Sequence, residues 1–541
     1  MIRSAKGTAA RPRLRLLILA PVFALIALVC WSFASPIGAA PDDNFHLASI
    51  WCGLGDRAGL CESVPGQSDE RKVPIAIIDS SSCYAGKPDQ SAGCLTKGVT
   101  DNDRLAATSR GNFNGTYPPV YYTFMSLFAS TNIPVSAVLM RVINSVIFLG
   151  LTSLLFLLLP FSRRSTLVWA WLASIVPLGV YLLASTNSSA WAIISGGSLW
   201  IALLGYFEST GRRKVSLGVM SLVFALLGAG VRADSAAYNV GAVVIALLLT
   251  ARRTREYWLS ALLALGVVVL SVALYFSASQ SSVSITGFGG GNAPANMPGL
   301  VLFANSLINV PSLWEGSLGA WGLGSLDVIL PPIVLTGCLV VFGAVLFTGL
   351  RSYNGRKLLA LGLVFLAAWL IPSWVQTTSR SLVGTNVQPR YIYPLLIMLV
   401  GVAMLVVAPR RIHLNRPQAA LVGAIIIVAN SVALHVTIHR YTAGQQYFGF
   451  DLNHGEGWWW PGLPISPMAV WILGTLAFTA AVAVVIWQLF WFDDRDDAPL
   501  IAASPSTDPT DGVVTSTPAA TELDSPVDGL QAPATASAST T

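Results

Sequence analysis

The chain has 541 residues, of which 54% are hydrophobic and only 11% charged, with a formal net charge of +6. A soluble globular protein carries charge on about a quarter of its residues. This composition, with a mean hydropathy of +0.64, excludes that class and predicts an all-α polytopic membrane protein. The basic surplus does not indicate a nucleic-acid partner, because Lys and Arg come in short clusters between apolar runs and not along one polar face.

In chain order, a basic N-terminus over 1–15, with Arg3, Lys6, Arg11, Arg13 and Arg15, precedes an apolar run over 16–33. The length of that run, and the runs that follow, read as a retained first helix and not as a cleaved signal peptide. Apolar runs of about 20 residues recur at 135–159, 167–184, 191–207, 215–230, 236–249, 258–276, 328–350, 358–374, 391–407, 419–436 and 468–491. Together these predict about twelve spans in a membrane domain over 16–492. Basic clusters at Arg163-Arg164, Arg212-Arg213-Lys214, Arg252-Arg253, Arg356-Lys357 and Arg410-Arg411 fall at every second junction. Those junctions are predicted to be cytoplasmic, with both termini inside.

Three long loops are then placed outside. The first, 35–116, is too long for a bare connector and holds Cys52, Cys61, Cys83 and Cys94. Four cysteines in one outer loop predict a small cap pinned by two disulfides in an oxidising compartment. The shortest pairing is Cys52 with Cys61 and Cys83 with Cys94, one of three connectivities, and the lack of a Cys-x-x-Cys pair argues against zinc. The second loop, 277–326, shows no regular periodicity. The third, 439–466, carries His454, Glu456 and Trp458-Trp459-Trp460, a set that reads as an interfacial aromatic anchor. Residues 493–541 are acidic, rich in Ser, Thr, Pro and Ala and free of aromatics, which predicts a disordered cytoplasmic tail.

The residues able to do chemistry collect on the outer side. Pro41-Asp42-Asp43-Asn44-Phe45-His46 follows the first span and sets two adjacent carboxylates and an imidazole at the membrane rim. Adjacent carboxylates repel, which drives their pKa values apart. One can then accept a proton while the other stabilises charge, or both can ligate a divalent cation. The plainer reading is a solvated turn. Arg141 lies inside the second span with Asn144 a turn further on, and a buried guanidinium needs an anion, either a protein carboxylate or a lipid-linked phosphate. Arg232 and Asp234 share a tight outer hairpin, where a local ion pair is the plainer reading. Glu315 and Asp327 close the second loop, and Arg390 opens the tenth span.

Three stretches resemble a domain-of-unknown-function family of bacterial multi-pass membrane proteins. Asp42-Asp43-Asn44-Phe45-His46 after Pro41 resembles its Pro-Asp-Glu-x-x-His stretch. Gly319-Ala320-Trp321-Gly322-Leu323-Gly324-Ser325-Leu326-Asp327 resembles its Gly-Trp-Leu-Asp region, and Gln388-Pro389-Arg390-Tyr391 followed by Pro394 resembles its Gln-Gly-Arg-Tyr motif. Here Asp43 stands where Glu is usual and Pro389 where Gly is usual. The first keeps a carboxylate with shorter reach, and the second stiffens the approach to Arg390.

That family looks like the GT-C class of glycosyltransferases. The resemblance implies an enzyme of the bacterial cytoplasmic membrane that moves a sugar, with inversion, from a polyprenyl-phosphate donor to a cell-envelope glycan, lipid or protein on the extracytoplasmic face. It implies Asp42 or Asp43 as general base, with the other carboxylate and His46 steadying it or holding Mg or Mn. Arg390, with Gln388 and Tyr391 and with Arg141 or Arg232 as second candidates, would bind the donor phosphate. An apolar groove between spans would hold the prenyl chain. The rival expectation is a transporter or flippase of a lipid-linked envelope component, without bond chemistry.

Overall fold

The computed structural model describes residues 11–95, 104–407, 414–454, 457–460 and 463–496. Helix α1 (Arg11–Phe33) leads into a cap in which α2 (Asp43–Trp51) precedes strands β1 (Glu62–Val64), β2 (Gln67–Pro74) and β3 (Leu105–Thr108), and α3 (Val120–Ser126) returns the chain to the bundle. The bundle continues through α4 (Ile133–Leu158), α5 (Phe161–Ser174), α6 (Pro177–Leu183), α7 (Ser189–Glu208), α8 (Gly211–Ala229), α9 (Ala233–Thr250) and α10 (Arg255–Phe276). A second cap segment holds α11 (Gly299–Asn309) and α12 (Pro311–Ser317). Helices α13 (Pro332–Gly349), α14 (Gly355–Thr378), α15 (Pro389–Ala403), α16 (Arg416–Thr442) and α17 (Pro467–Asp496) complete the described chain.

Among the described residues, eight helices are long and apolar enough to cross a membrane: α4, α7, α9, α10, α13, α14, α16 and α17 as far as Phe490. The protein is therefore a multi-pass membrane protein, but the expected twelve spans are not reached on length and composition. The predicted third span is broken into α5 and α6, which meet at 100°, and counting that pair as one span gives nine. The break has a local cause: Pro177 has no N–H to donate and forces Val176 into an extended conformation. The fifth predicted span, α8, opens on Arg212, Arg213 and Lys214, and its apolar part is correspondingly short. Among the residues whose side chains are described, the apolar stretches of α1 and α15 run over Ile18–Phe33 and Pro389–Ala403, below the length counted as a span.

Helices α7 and α15 form the buried centre. They cross closely because Gly196 offers no side chain; a Cβ there would lie 2.4 Å from Pro394 Cβ. At the periphery, Leu259, Leu262, Leu265 and Val269 of α10 stand exposed, as lipid-facing residues do. Pro372 inside α14 leaves the carbonyl of Ala368 without its helical donor, and the Trp314 indole of α12 donates to that oxygen at 3.4 Å. Cations close the helix ends opposite the cap. Arg163 donates to both Glu208 oxygens and to the Val406 carbonyl, and Lys357 donates to the carbonyls of Gly349, Ser352 and Leu405.

The cap adds strands to an otherwise all-α chain. Its strands form an antiparallel sheet in the order β1-β2-β3, with Arg71 opposite Thr108 and Val73 opposite Ala106. Two disulfides, Cys52–Cys61 and Cys83–Cys94, pin it. Arg57 ties it to the bundle by donating to the carbonyls of Trp51 and Ser126. The second outer segment, expected to be irregular, contains α11 and α12, whose Leu302 and Leu313 are buried. In the third loop His439, Tyr447 and His454 stack ring on ring, and Trp460 donates to the Phe33 carbonyl. Glu456, residues 1–10, Arg410-Arg411 and 497–541 lie outside the described residues.

Candidate functional site

The site is built where α1 ends. Arg141, 1% exposed, donates to the carbonyls of Ser32 and Ser35 at 2.8 and 2.7 Å and of Pro36 at 2.8 Å. Its charge thus satisfies the open carbonyls at the end of α1 and just beyond it. It is committed to backbone, which removes it as a second candidate for a donor phosphate. Asn144 likewise donates to the Ser185 carbonyl at 2.8 Å. The chain then turns at Gly38, which has φ +86° and whose Cβ would lie 2.5 Å from Ser80 Oγ, so only glycine makes the turn.

Asp43 points inward. It is 1% exposed and accepts from the Gly38 N–H at 3.1 Å and from Thr186 Oγ1 at 2.5 Å. Asn187 beside Thr186 donates to the Pro41 carbonyl at 2.6 Å. The loop after α6 therefore clamps the Pro-Asp-Asp stretch from below. Burial pushes the Asp43 carboxyl above the usual carboxylate range, against the pull of Arg141 and Thr186.

Asp42 points the other way. Its backbone is left-handed, φ 56° and ψ 24°, a conformation that costs a residue with a Cβ about 1 kcal/mol. This turn sends the two neighbouring carboxylates in different directions. Asp42 is 45% exposed at its side chain and accepts from Arg390 Nη2 at 2.6 Å, with Arg110 at 3.7 Å. Burial acts to raise its pKa, but the charge and hydrogen bond of Arg390, with the charge of Arg110, outweigh it and hold the carboxyl below the usual range.

Arg390 comes from the head of α15, where Gln388 and Pro389 start the helix. Its side chain is 4% exposed. It donates to Gln388 Oε1 and to the Tyr391 hydroxyl, and its Nε is buried without a partner. The ring of Tyr391 packs against two guanidinium groups, Arg232 at 4.1 Å and Arg390 at 4.9 Å. Arg232 makes the local hairpin pair with Asp234, two bonds of 2.8 Å. Three guanidinium groups, from Arg110, Arg232 and Arg390, thus meet two carboxylates, Asp42 and Asp234. The surplus of one positive charge suits an anion.

His46 sits beneath this pair on α2. Its Nδ1 is 2.9 Å from the Tyr122 hydroxyl, and its ring stacks on Tyr122 and meets Tyr117 edge-on. Burial lowers its pKa to about 3. It is therefore neutral at ordinary pH and shapes the floor of the site. The expected Mg or Mn site finds no donor set: among the described residues no three His, Cys, Asp or Glu side chains gather. The Asp42 and Asp43 oxygens also face different partners.

A family model described as predicted membrane protein (DUF2142) matches residues 25–399. The chain belongs to the DUF2142 family. The matched region of this DUF2142 protein holds Asp42, Asp43, His46, Arg141, Arg232, Asp327 and Arg390, and it stops before α16. No curated protein and no solved structure matches the chain. Asp327, at the end of the Gly-Trp-Leu-Asp region, lies outside the site. It accepts from Arg440 at 2.9 Å and from the Tyr441 hydroxyl at 3.3 Å, while Arg440 also donates to the carbonyls of Gln90, Tyr84 and Lys87. Arg110, Thr186, Asn187, Tyr117 and Tyr122 were not singled out by sequence reasoning. Each lies in a loop or short helix whose partner is distant in the chain, and no local pattern marks it.

Proposed function

We propose that this protein is an inverting glycosyltransferase that uses a polyprenyl-phosphate sugar and acts on a cell-envelope glycan, lipid or protein. The observation that carries the reading is the 2.6 Å bond between a half-exposed carboxylate, Asp42, and a buried guanidinium, Arg390, in a pocket with surplus positive charge. A proton acceptor and a phosphate-binding cation lie within one bond length of each other. In the reaction the acceptor hydroxyl oxygen bonds to the anomeric carbon as the bond from that carbon to the phosphate oxygen breaks. The hydroxyl proton passes to Asp42. The electron pair leaves with the polyprenyl phosphate, whose added negative charge Arg390 stabilises.

The donor phosphate and Asp42 compete for Arg390. Binding of the donor releases the carboxylate and removes the neighbour that depresses its pKa, so Asp42 becomes a better base only when donor is present. Asp43 holds the loop, and no metal takes part in these steps. Basic residues at the helix ends opposite the cap, and disulfides within the cap, support an extracytoplasmic site in a bacterial plasma membrane with both termini in the cytoplasm.

The break between α5 and α6 favours one other reading, a flippase of a lipid-linked component, because discontinuous helices recur in transporters. A donor screen separates the two. Purified protein is incubated with radiolabelled polyprenyl-phosphate sugars, wild type beside Asp42→Asn. The glycosyltransferase reading expects labelled product that the variant does not make. Translocation of donor in vesicles with no product formed by wild type would replace it with the flippase.

A further inference from the structure

We infer that α11 dips into the membrane leaflet on the cap side and lays the face formed by Leu300, Val301, Ala304 and Ile308 against lipid chains. This surface does not depend on the chemistry proposed above.

The composition of the segment is that of a membrane element. From Tyr257 to Trp314 the chain has no Asp, Glu, Lys or Arg, although the membrane-crossing helix α10 ends at Phe276. A segment lying in water carries charge on about a quarter of its residues. The first cap segment does carry such charge, with Glu62, Asp69, Glu70, Arg71 and Lys72 on β1 and β2.

The faces of α11 are sorted in the same sense. At 3.6 residues per turn, Leu300, Val301, Ala304 and Ile308 fall within about 100° of its circumference. All four are exposed, Leu300 and Ile308 by 80% and 76%. Beside them runs a polar edge of Asn305 and Asn309, and the Asn309 amide donates to the Asn305 carbonyl at 2.8 Å. The opposite side, Leu302 and Ser306, is buried against the bundle. In water this exposed row would be an aggregation-prone patch, whereas in a leaflet it is the face an amphipathic helix turns to lipid.

Contacts with α14 set the depth. Arg380, just past the end of α14, donates to the carbonyls of Pro294, Ala295 and Met297 and holds the approach to α11 at that level. Near the other end of α11, the Leu307 carbonyl accepts from the Trp369 indole at 2.9 Å. Trp369 precedes the last residue of α14, Thr378, by nine positions, about 14 Å along the axis. Helix α14 stays exposed and apolar beyond the Trp369 level, at Leu370 and Trp374, so hydrocarbon must reach at least that far. Charge returns only at Glu315, after the chain has turned into α12. There Ser317 Oγ donates to the Pro389 carbonyl at 3.1 Å, so the leaflet helix leads into the support for the residue before Arg390.

The test places spin labels on the full-length protein in phosphatidylcholine discs, at Leu300→Cys and Ile308→Cys. Leu262→Cys, on the exposed side of α10, is the lipid reference, and Ser68→Cys, exposed on β2, is the aqueous one. Wild type, whose free cysteines Cys30 and Cys338 are buried, is the blank, and thermal unfolding checks that each variant folds. The expected ratio of collisions with oxygen to collisions with a water-soluble nickel complex is as high at 300 and 308 as at 262, and several-fold higher than at 68. A ratio matching position 68 would put α11 in water and overturn the inference. Exclusion of both reagents at 300 and 308 would mean that protein, such as a second copy of this chain, covers the face, and would overturn it equally. Wild type in discs doped with a phosphatidylcholine bearing a diazirine on its acyl chain gives a second readout free of substitutions. Photolabelling of α11 together with the membrane-crossing helices is expected, and labelling of those helices with none on α11 would refute the placement.

Discussion

Asp327→Ala tests whether the Gly-Trp-Leu-Asp region builds the fold or does chemistry. In the native protein Asp327 and Arg440 form an ion pair of 2.9 Å with side-chain exposures of 9% and 1%. Removing the acid leaves the guanidinium buried, still bonded to the carbonyls of Gln90, Tyr84 and Lys87 but without a countercharge. Breaking a buried pair from one side costs about 3–5 kcal/mol. The Tyr441 hydroxyl loses its acceptor as well, at about 1 kcal/mol. The double variant Asp327→Ala with Arg440→Met removes both charges and is expected to recover most of the loss. The assay is denaturant unfolding of detergent-solubilised protein, followed by tryptophan fluorescence. A single variant as stable as wild type but unable to turn over would refute the structural assignment and make Asp327 part of the chemistry.

Other outcomes follow from the buried titratable groups. The folded-state pKa of Asp43 is raised above its unfolded value of about 3.9. Its contribution to stability is therefore full below that value and is lost as pH rises through the folded pKa. Asp43→Asn, which keeps one acceptor for Gly38 or Thr186, should show a flatter dependence of melting temperature on pH above the unfolded value of about 3.9; an unchanged slope would contradict the burial argument. His46, lowered to about 3, should show no titration between pH 5 and 8 in the NMR spectrum of histidine-labelled protein. A midpoint near 6.5, the ordinary value for His, would mean the ring is not enclosed by Tyr122 and Tyr117.

The multi-pass character was legible because apolar length and basic clustering are properties of the chain alone. The disulfide pairing was legible as the shortest option, and the Arg232–Asp234 pair because its partners lie two residues apart. Three features were not legible. The break before Pro177 hides inside one continuous apolar run, in which 167–184 scores as a single span. The different fates of Asp42 and Asp43 depend on a left-handed backbone at Asp42 and on Thr186, 143 residues away. Arg141 looked like an anion site because a buried charge needs a partner. Its partners are carbonyls at the end of α1, and no sequence pattern reports where another helix stops.

The most direct measurement compares donor binding with turnover in Asp42→Asn, using radiolabelled polyprenyl-phosphate sugar and protein in lipid discs. Asparagine removes the charge that competes for Arg390 and leaves nothing to take the acceptor's proton. The account predicts donor bound at least as tightly as by wild type, with sugar transfer slowed about 10²–10⁴-fold, the usual worth of a general base. Transfer at the wild-type rate by a folded Asp42→Asn protein would contradict it.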